Sequence, residues 1–174
     1  MGVTVNAHLG YGVHITDEQF DDLPWAIIER DDEDDHVDEE EGTSEEPKLD
    51  FEDWIAQLAG LVDPSAHIVD INNEWEAWYK EPANKEAMST FWRQKREAED
   101  NFPIGVIHVW TGSVYEPCII LAVKSTISIG WWGDPQPAVT TVDDTALQTA
   151  VEFCSQHNIP FVSPQWLLVA EYVG

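Results

Sequence analysis

Residues 102–132, FPIGVIHVWTGSVYEPCIILAVKSTISIGWW, decide how the chain is read. Only His108, Glu116 and Lys124 can carry charge in this stretch. Its Val, Ile and Trp content suits strands buried within a sheet. Residues 104–110 and 118–129 read as two central strands. Thr111-Gly112-Ser113 and Glu116-Pro117 punctuate them. The rest of the chain reads as cover for these strands, plus one strongly acidic segment.

Upstream, Val3, Val5, Ala7, Leu9, Tyr11, Val13 and Ile15 alternate with Thr4, Asn6, His8, Gly10, Gly12 and His14. Period two predicts a half-buried strand, with His8 and His14 on its polar face. Six residues along a strand span about 20 Å, too far for the two imidazoles to share a metal. Gly10 and Gly12 mark a bulge or a close backbone approach. Near the other end, QWLLVAEY at 165–172 reads as a closing strand.

Helical signals lie between. Thr16 to Gln19 has capping-box spacing and opens a short helix. Asp50 caps a helix whose Phe51, Trp54, Ile55 and Leu58 fall at i, i+3, i+4 and i+7, with Gly60 near its end. A turn at Asp63-Pro64-Ser65 leads into a short strand at 66–71. Trp75, Trp78 and Tyr79 share a helical face. Pro82 starts a longer helix to about Asp100, with Met88, Phe91, Trp92 and Lys95 on one side. Thr141 to Asp144 offers another capping box, before a stripe of Leu147, Ala150, Val151 and Cys154, and Asn158 suits the C-terminal cap. The expected fold is α+β over one domain, residues 1–174. Its mainly antiparallel sheet has helices packed on one face, plus an acidic loop or insertion at 29–48.

The net charge is −26, from 34 acidic and 8 basic side chains. Residues 1–100 hold 28 of the acids, and residues 101–174 hold six with a single Lys. A salt-adapted surface would carry its acid everywhere. This polarity instead implies a local field or a local solvated loop. The segment 29–46, ERDDEDDHVDEEEGTSEE, has almost nothing to bury. No frame in it supplies the ligand spacing and central Gly of an EF-hand. Asp31, Asp32, Glu33, Asp34, Asp35, Asp38, Glu39, Glu40 and Glu41 are the candidate partner-binding carboxylates. Trp131 and Trp132 are candidate anchors, with Trp25, Trp75 and Trp78 beside them. Five of the eight bases, Lys80, Lys85, Arg93, Lys95 and Arg96, cluster at 80–96. In so acidic a chain they read as neutralising its own carboxylates, so direct nucleic-acid binding is not expected.

Signals for catalysis are missing. The six His are scattered, and HExxH, CxxC, GxSxG and GxGxxG do not occur. Cys118 and Cys154 sit in apolar contexts and read as buried free thiols. No catalytic residue, metal ligand or cofactor is nominated, and the balance leans away from an enzyme. There is no run of about 18 apolar residues for a membrane helix. The N-terminus lacks a signal-peptide pattern, so a cytoplasmic location is expected.

The strand HLGYGVHI, the pair FPIGVIHVW and YEPCIILAV, and the ending FCSQHNIPF-x-x-P-x-WLLVAEY resemble a group of small uncharacterised tailed-phage proteins. The resemblance covers about half of the chain through structural motifs and transfers no functional residue. The segment 29–46 looks like an insertion relative to it. In size and charge the chain is also similar to DNA-mimic inhibitors of host machinery. With the local acidic field, these likenesses lead to the expectation of a phage-encoded protein that binds and inhibits a basic host protein in the host cytoplasm, nucleic-acid-binding proteins being among the candidates. A small phage enzyme acting on nucleotide or nucleic acid, and a structural or assembly protein, stay open as alternatives.

Overall fold

The computed structural model describes residues 4–25, 48–68, 74–110, 117–130 and 140–173. Its sheet is built around β1 (Thr4–Ile15). One edge of β1 pairs with β5 (Gln165–Val173), from Thr4↔Val173 to Gly12↔Gln165. Its other edge takes two strands end to end. β4 (Ser128–Gly130) lies along Ala7 to Leu9, and β3 (Pro117–Val123) lies along Gly12 to Ile15. β2 (Ile104–Trp110) flanks β3 in the order β2-β3-β1-β4. Every pairing is antiparallel, and helices join the sheet in an α+β fold.

The strand expected at 118–129 is broken. From Gly12 to Leu9 is three steps along β1, but their partners Ala122 and Ser128 lie six apart. The three surplus residues form the 3-10 turn Lys124–Thr126. The turn leaves the Tyr11 amide without a strand carbonyl, and buried Thr126 replaces it. Tyr11 N–H donates to Thr126 Oγ1 at 3.0 Å, and that hydroxyl donates to the Val123 carbonyl at 2.7 Å. A side chain thus satisfies a ladder group that would otherwise cost free energy.

Burial along β1 also departs from simple alternation. Val13 and Ile15 are buried as expected, but earlier the buried residues are Asn6, Gly10 and Gly12, with Ala7 exposed. His14 is exposed, whereas His8 is half-buried. The glycines are the cause. A Cβ on Gly12 would stand 1.9 Å from the Leu121 carbonyl oxygen and 2.6 Å from Ala122 Cα. Only a missing side chain lets the backbones come this close. Over that face Ile107, Val109, Ile120 and Ala122 form a buried cluster with Leu167 and Val169 of β5. β5 thereby approaches β2 without pairing to it, so the sheet curls. Residues 119–123 of β3 are buried on both faces, the environment in which a strand reads as a continuous apolar run.

α1 (Asp17–Phe20) starts at the Thr16–Gln19 capping box. The chain after it buries Leu23 and Trp25, while Lys48 Nζ donates to the carbonyls of Asp21 and Leu23. α5 (Asp144–Gln156) comes against β3 and buries Ala150 and Cys154. Its cap is Asp143, whose Oδ1 accepts from Ala146 N–H at 2.9 Å, rather than Thr141. Val151 is exposed, so the buried stripe is narrower than its spacing predicts. Asn158 takes φ 56°, and Ile159 N–H closes on the Cys154 carbonyl at 2.8 Å, a left-handed helix ending.

The chain divides into two compact units, residues 1–48 with 103–174, and residues 49–102. The second unit is helical: α2 (Phe51–Leu58), α3 (Glu74–Lys80) and α4 (Pro82–Asp100). Asp50 caps α2 through Asp53 N–H, and Gly60 at φ 70° ends it, with Leu61 N–H reaching the Ala56 carbonyl. Trp54 is buried and meets Phe51 and Phe102, while Leu58 is exposed. The strand expected at 66–71 is turn where it is described. The Asp63 carboxylate accepts from both Ser65 N–H and Ser65 Oγ, which folds the chain back before it can extend. Among the described residues, no helix is long and apolar enough to cross a membrane.

Candidate interaction site

The carboxylates Asp31, Asp32, Glu33, Asp34, Asp35, Asp38, Glu39, Glu40 and Glu41 lie outside the described residues, as do Trp131 and Trp132. Trp25 is only 2% exposed and serves the core of the sheet unit, so it is no surface anchor. Trp75 and Trp78 come together on α3. Trp75 stacks on Tyr79 at 5.4 Å and meets Trp78 at 5.5 Å, and His67 stands edge-on to Trp78. The i, i+3, i+4 spacing of EWEAWYK puts all three rings on one side of a short helix.

The basic cluster mostly answers the helical unit's own acids. Lys80 pairs with Glu76 at 3.0 Å and Arg93 with Glu97 at 2.9 Å, both exposed i, i+4 contacts. Lys95 differs, being 4% exposed. Its Nζ lies 2.6 Å from Asp53 Oδ1, 3.8 Å from Glu52 Oε2 and 5.2 Å from the Trp92 ring centroid. Burial works against its charge, but the Asp53 hydrogen bond and the charges of Asp53, Glu52 and Asp50 outweigh it. Its pKa is raised above the ordinary lysine value. Lys85 stands over the Tyr79 ring at 5.7 Å. Among the described residues, Arg96 has no carboxylate within ion-pair distance.

One side of α4 opens into a groove of about 560 Å³ between Tyr79 and the helix. Met88 is its buried floor. Tyr79 and Trp92, 42% and 52% exposed, are its aromatic walls, and Ser89, Arg93, Arg96, Glu97 and Asp100 complete it. Met88, Trp92, Arg96 and Asp100 follow at i, i+4, i+8 and i+12, a single ridge of the helix. The ridge runs from apolar through basic to acidic. Helical spacing places Trp92 on one side of the helix with Met88, Phe91 and Lys95, yet those three are buried and Trp92 is exposed. The overlooked signal was the Arg and Asp that continue the same ridge.

A second exposed surface crosses β1 and β5. Ala7↔Ala170, Leu9↔Leu168 and Tyr11↔Trp166 are successive pairs on one face of the sheet. Leu168 is 71% exposed, Ala7 and Ala170 are exposed, and the Tyr11 and Trp166 rings meet edge-on at 5.5 Å. The six side chains carry no charge.

Burial pushes the Cys154 thiol up to about 12 and raises that of half-buried Cys118 as well. Both are held as thiols at neutral pH, which makes them poor nucleophiles. Among the described residues no group of three or more His, Cys, Asp or Glu is arranged to hold a metal ion. No protein-family model matches the chain, and neither the curated proteins nor the solved structures yield a match.

Proposed function

We propose that the chain is a phage-encoded interaction protein that binds and inhibits a basic host protein, one that itself binds nucleic acid. The observation that carries the proposal is the placement of charge. Twelve of the 34 acids fall within residues 29–46, and the chain from 101 onward holds six. Such a concentration attracts a basic surface over about a Debye length, 8–10 Å at moderate ionic strength, and so acts on the rate of encounter. Trp131 and Trp132 are the proposed aromatic anchors, and the host cytoplasm is the proposed location. The test is capture from host lysate at low and high salt. Parent protein is compared with a variant in which the nine carboxylates of 31–41 become Asn and Gln. A basic protein retained by the parent at low salt and lost from the variant is the expected result. Equal retention by both proteins would end the proposal.

The uncharged face across β1 and β5 favours a second reading, a structural or assembly protein that self-associates through its sheet. A monomeric mass in light scattering at high concentration, unchanged by Leu168→Glu, would remove it.

A further inference from the structure

The groove along α4 has features that the acidic segment does not explain. It lies wholly within the helical unit and is lined by Trp, Tyr and Arg, the residue types that dominate binding energy at protein interfaces. We propose that it docks an amphipathic helix of a partner protein bearing, at successive turns, a bulky apolar residue, a carboxylate and a base. The proposal is independent of the role of residues 29–46.

The order of groups along the ridge fixes that pattern. From Met88 to Asp100 the ridge rises about 18 Å, the length of a helix of about 12 residues. Side chains on it recur every four residues, so a helix laid alongside meets each with its own i, i+4, i+8 row. At the first position Met88, Tyr79 and Trp92 enclose an apolar side chain. At the second lie Arg96, without a carboxylate partner among the described residues, and Arg93, held only by the exposed Glu97 contact. Exposed i, i+4 pairs contribute little in water, so Arg93 can turn to a ligand carboxylate at little cost. At the third, Asp100 and Glu97 repel a carboxylate and accept a base. A mononucleotide fits less well. Its base has Trp92 and Tyr79 to stack on, but Glu97 and Asp100 face whatever its phosphate would reach beside the arginines.

The probe is a lactam-stapled, acetylated and amidated 14-residue peptide with Leu, Glu and Lys four residues apart in an Ala/Gln background. Its control has Glu and Lys exchanged. Each is titrated into the isotope-labelled full chain, with the Trp92 indole N–H resonance assigned through Trp92→Phe. The expected result is a saturable shift of that resonance, with the exchanged peptide at least about tenfold weaker. Arg96→Glu, at an exposed position and checked for an otherwise unchanged amide spectrum, should shrink or reverse the preference. An unmoved Trp92, equal binding of the two peptides, or an unaltered preference in Arg96→Glu would each overturn the proposal. A saturable shift with adenosine monophosphate in place of the peptide would overturn it in favour of a small-molecule site.

Discussion

β3 and α4 use their residues in opposite ways. In β3 every residue from 119 to 123 is buried, whereas α4 runs for 19 residues and buries only Met88, Phe91 and Lys95. The strand lies inside the sheet with both faces covered. The helix keeps one narrow side for its own unit and presents the rest to solvent. Tolerance to change should differ accordingly. β3 is fixed by volume and backbone approach, and the outer ridge of α4 is free to carry recognition.

The sharpest way to break this contrast is by truncation. Leu121→Ala, at a position of 0% exposure, is expected to cost roughly 4 kcal/mol, from lost transfer free energy and the cavity left behind. Gly12→Ala attacks the same place from the other side. Its Cβ would need the Leu121 carbonyl to move, for a cost of about 3 kcal/mol. Trp92→Ala on α4 should cost only about 1 kcal/mol, because a large exposed ring loses little on truncation. Denaturant midpoints at constant m-value compare the three. A Trp92 variant as damaging as Leu121→Ala would erase the distinction between the regions.

Lys95 is the charged residue that α4 buries alongside Met88 and Phe91. Asp53→Ala removes its closest partner and leaves a buried ammonium, at an expected cost of roughly 3 kcal/mol. The pH dependence has a definite sign. The folded-state pKa of Lys95 is raised, so the stabilisation is complete below the ordinary lysine value of 10.5. It is lost as pH climbs from there through the raised value. Stability measured from pH 8 upward should show this alkaline loss in the parent and less of it in Asp53→Ala. Parallel curves would assign the stabilisation to packing alone.

A smaller effect is expected at the junction of β3 and β4. Thr126→Val keeps shape but leaves the Tyr11 amide and the Val123 carbonyl without the hydroxyl, costing about 2 kcal/mol. Amide exchange at Tyr11 should quicken more than at its neighbours. Uniform change along β1 would mean that the hydroxyl has no local role.

These cases also show what the sequence made legible. Period-two and helical spacing located β1, α2, α4 and α5, because each depends on which side of a regular element is apolar, and the weakly charged Val, Ile and Trp content of 104–110 located β2. The turn at Lys124–Thr126 went unread because Ile127 and Ile129 carry the apolar character past it. Its trace was the polar Lys-Ser-Thr within an apolar run. Gly10 and Gly12 marked a bulge or a close backbone approach, and the approach is found at Gly12; which distant strand comes close, and so the inverted burial of β1, no local pattern encodes. Helical spacing puts Trp92 on the same side as Met88, Phe91 and Lys95 but does not show how far the neighbouring helix covers that side, so the exposure of Trp92 was not legible. The acidic candidates were legible from composition alone, and they lie outside the described residues.

Binding kinetics against the host protein retained from lysate test the functional account most directly. The nine carboxylates of residues 31–41 are neutralised to Asn and Gln, and rates are followed from low to moderate salt. The account predicts that association slows by about tenfold or more at low salt and that dissociation changes far less. A neutralised variant that associates as fast as the parent at low salt would contradict it.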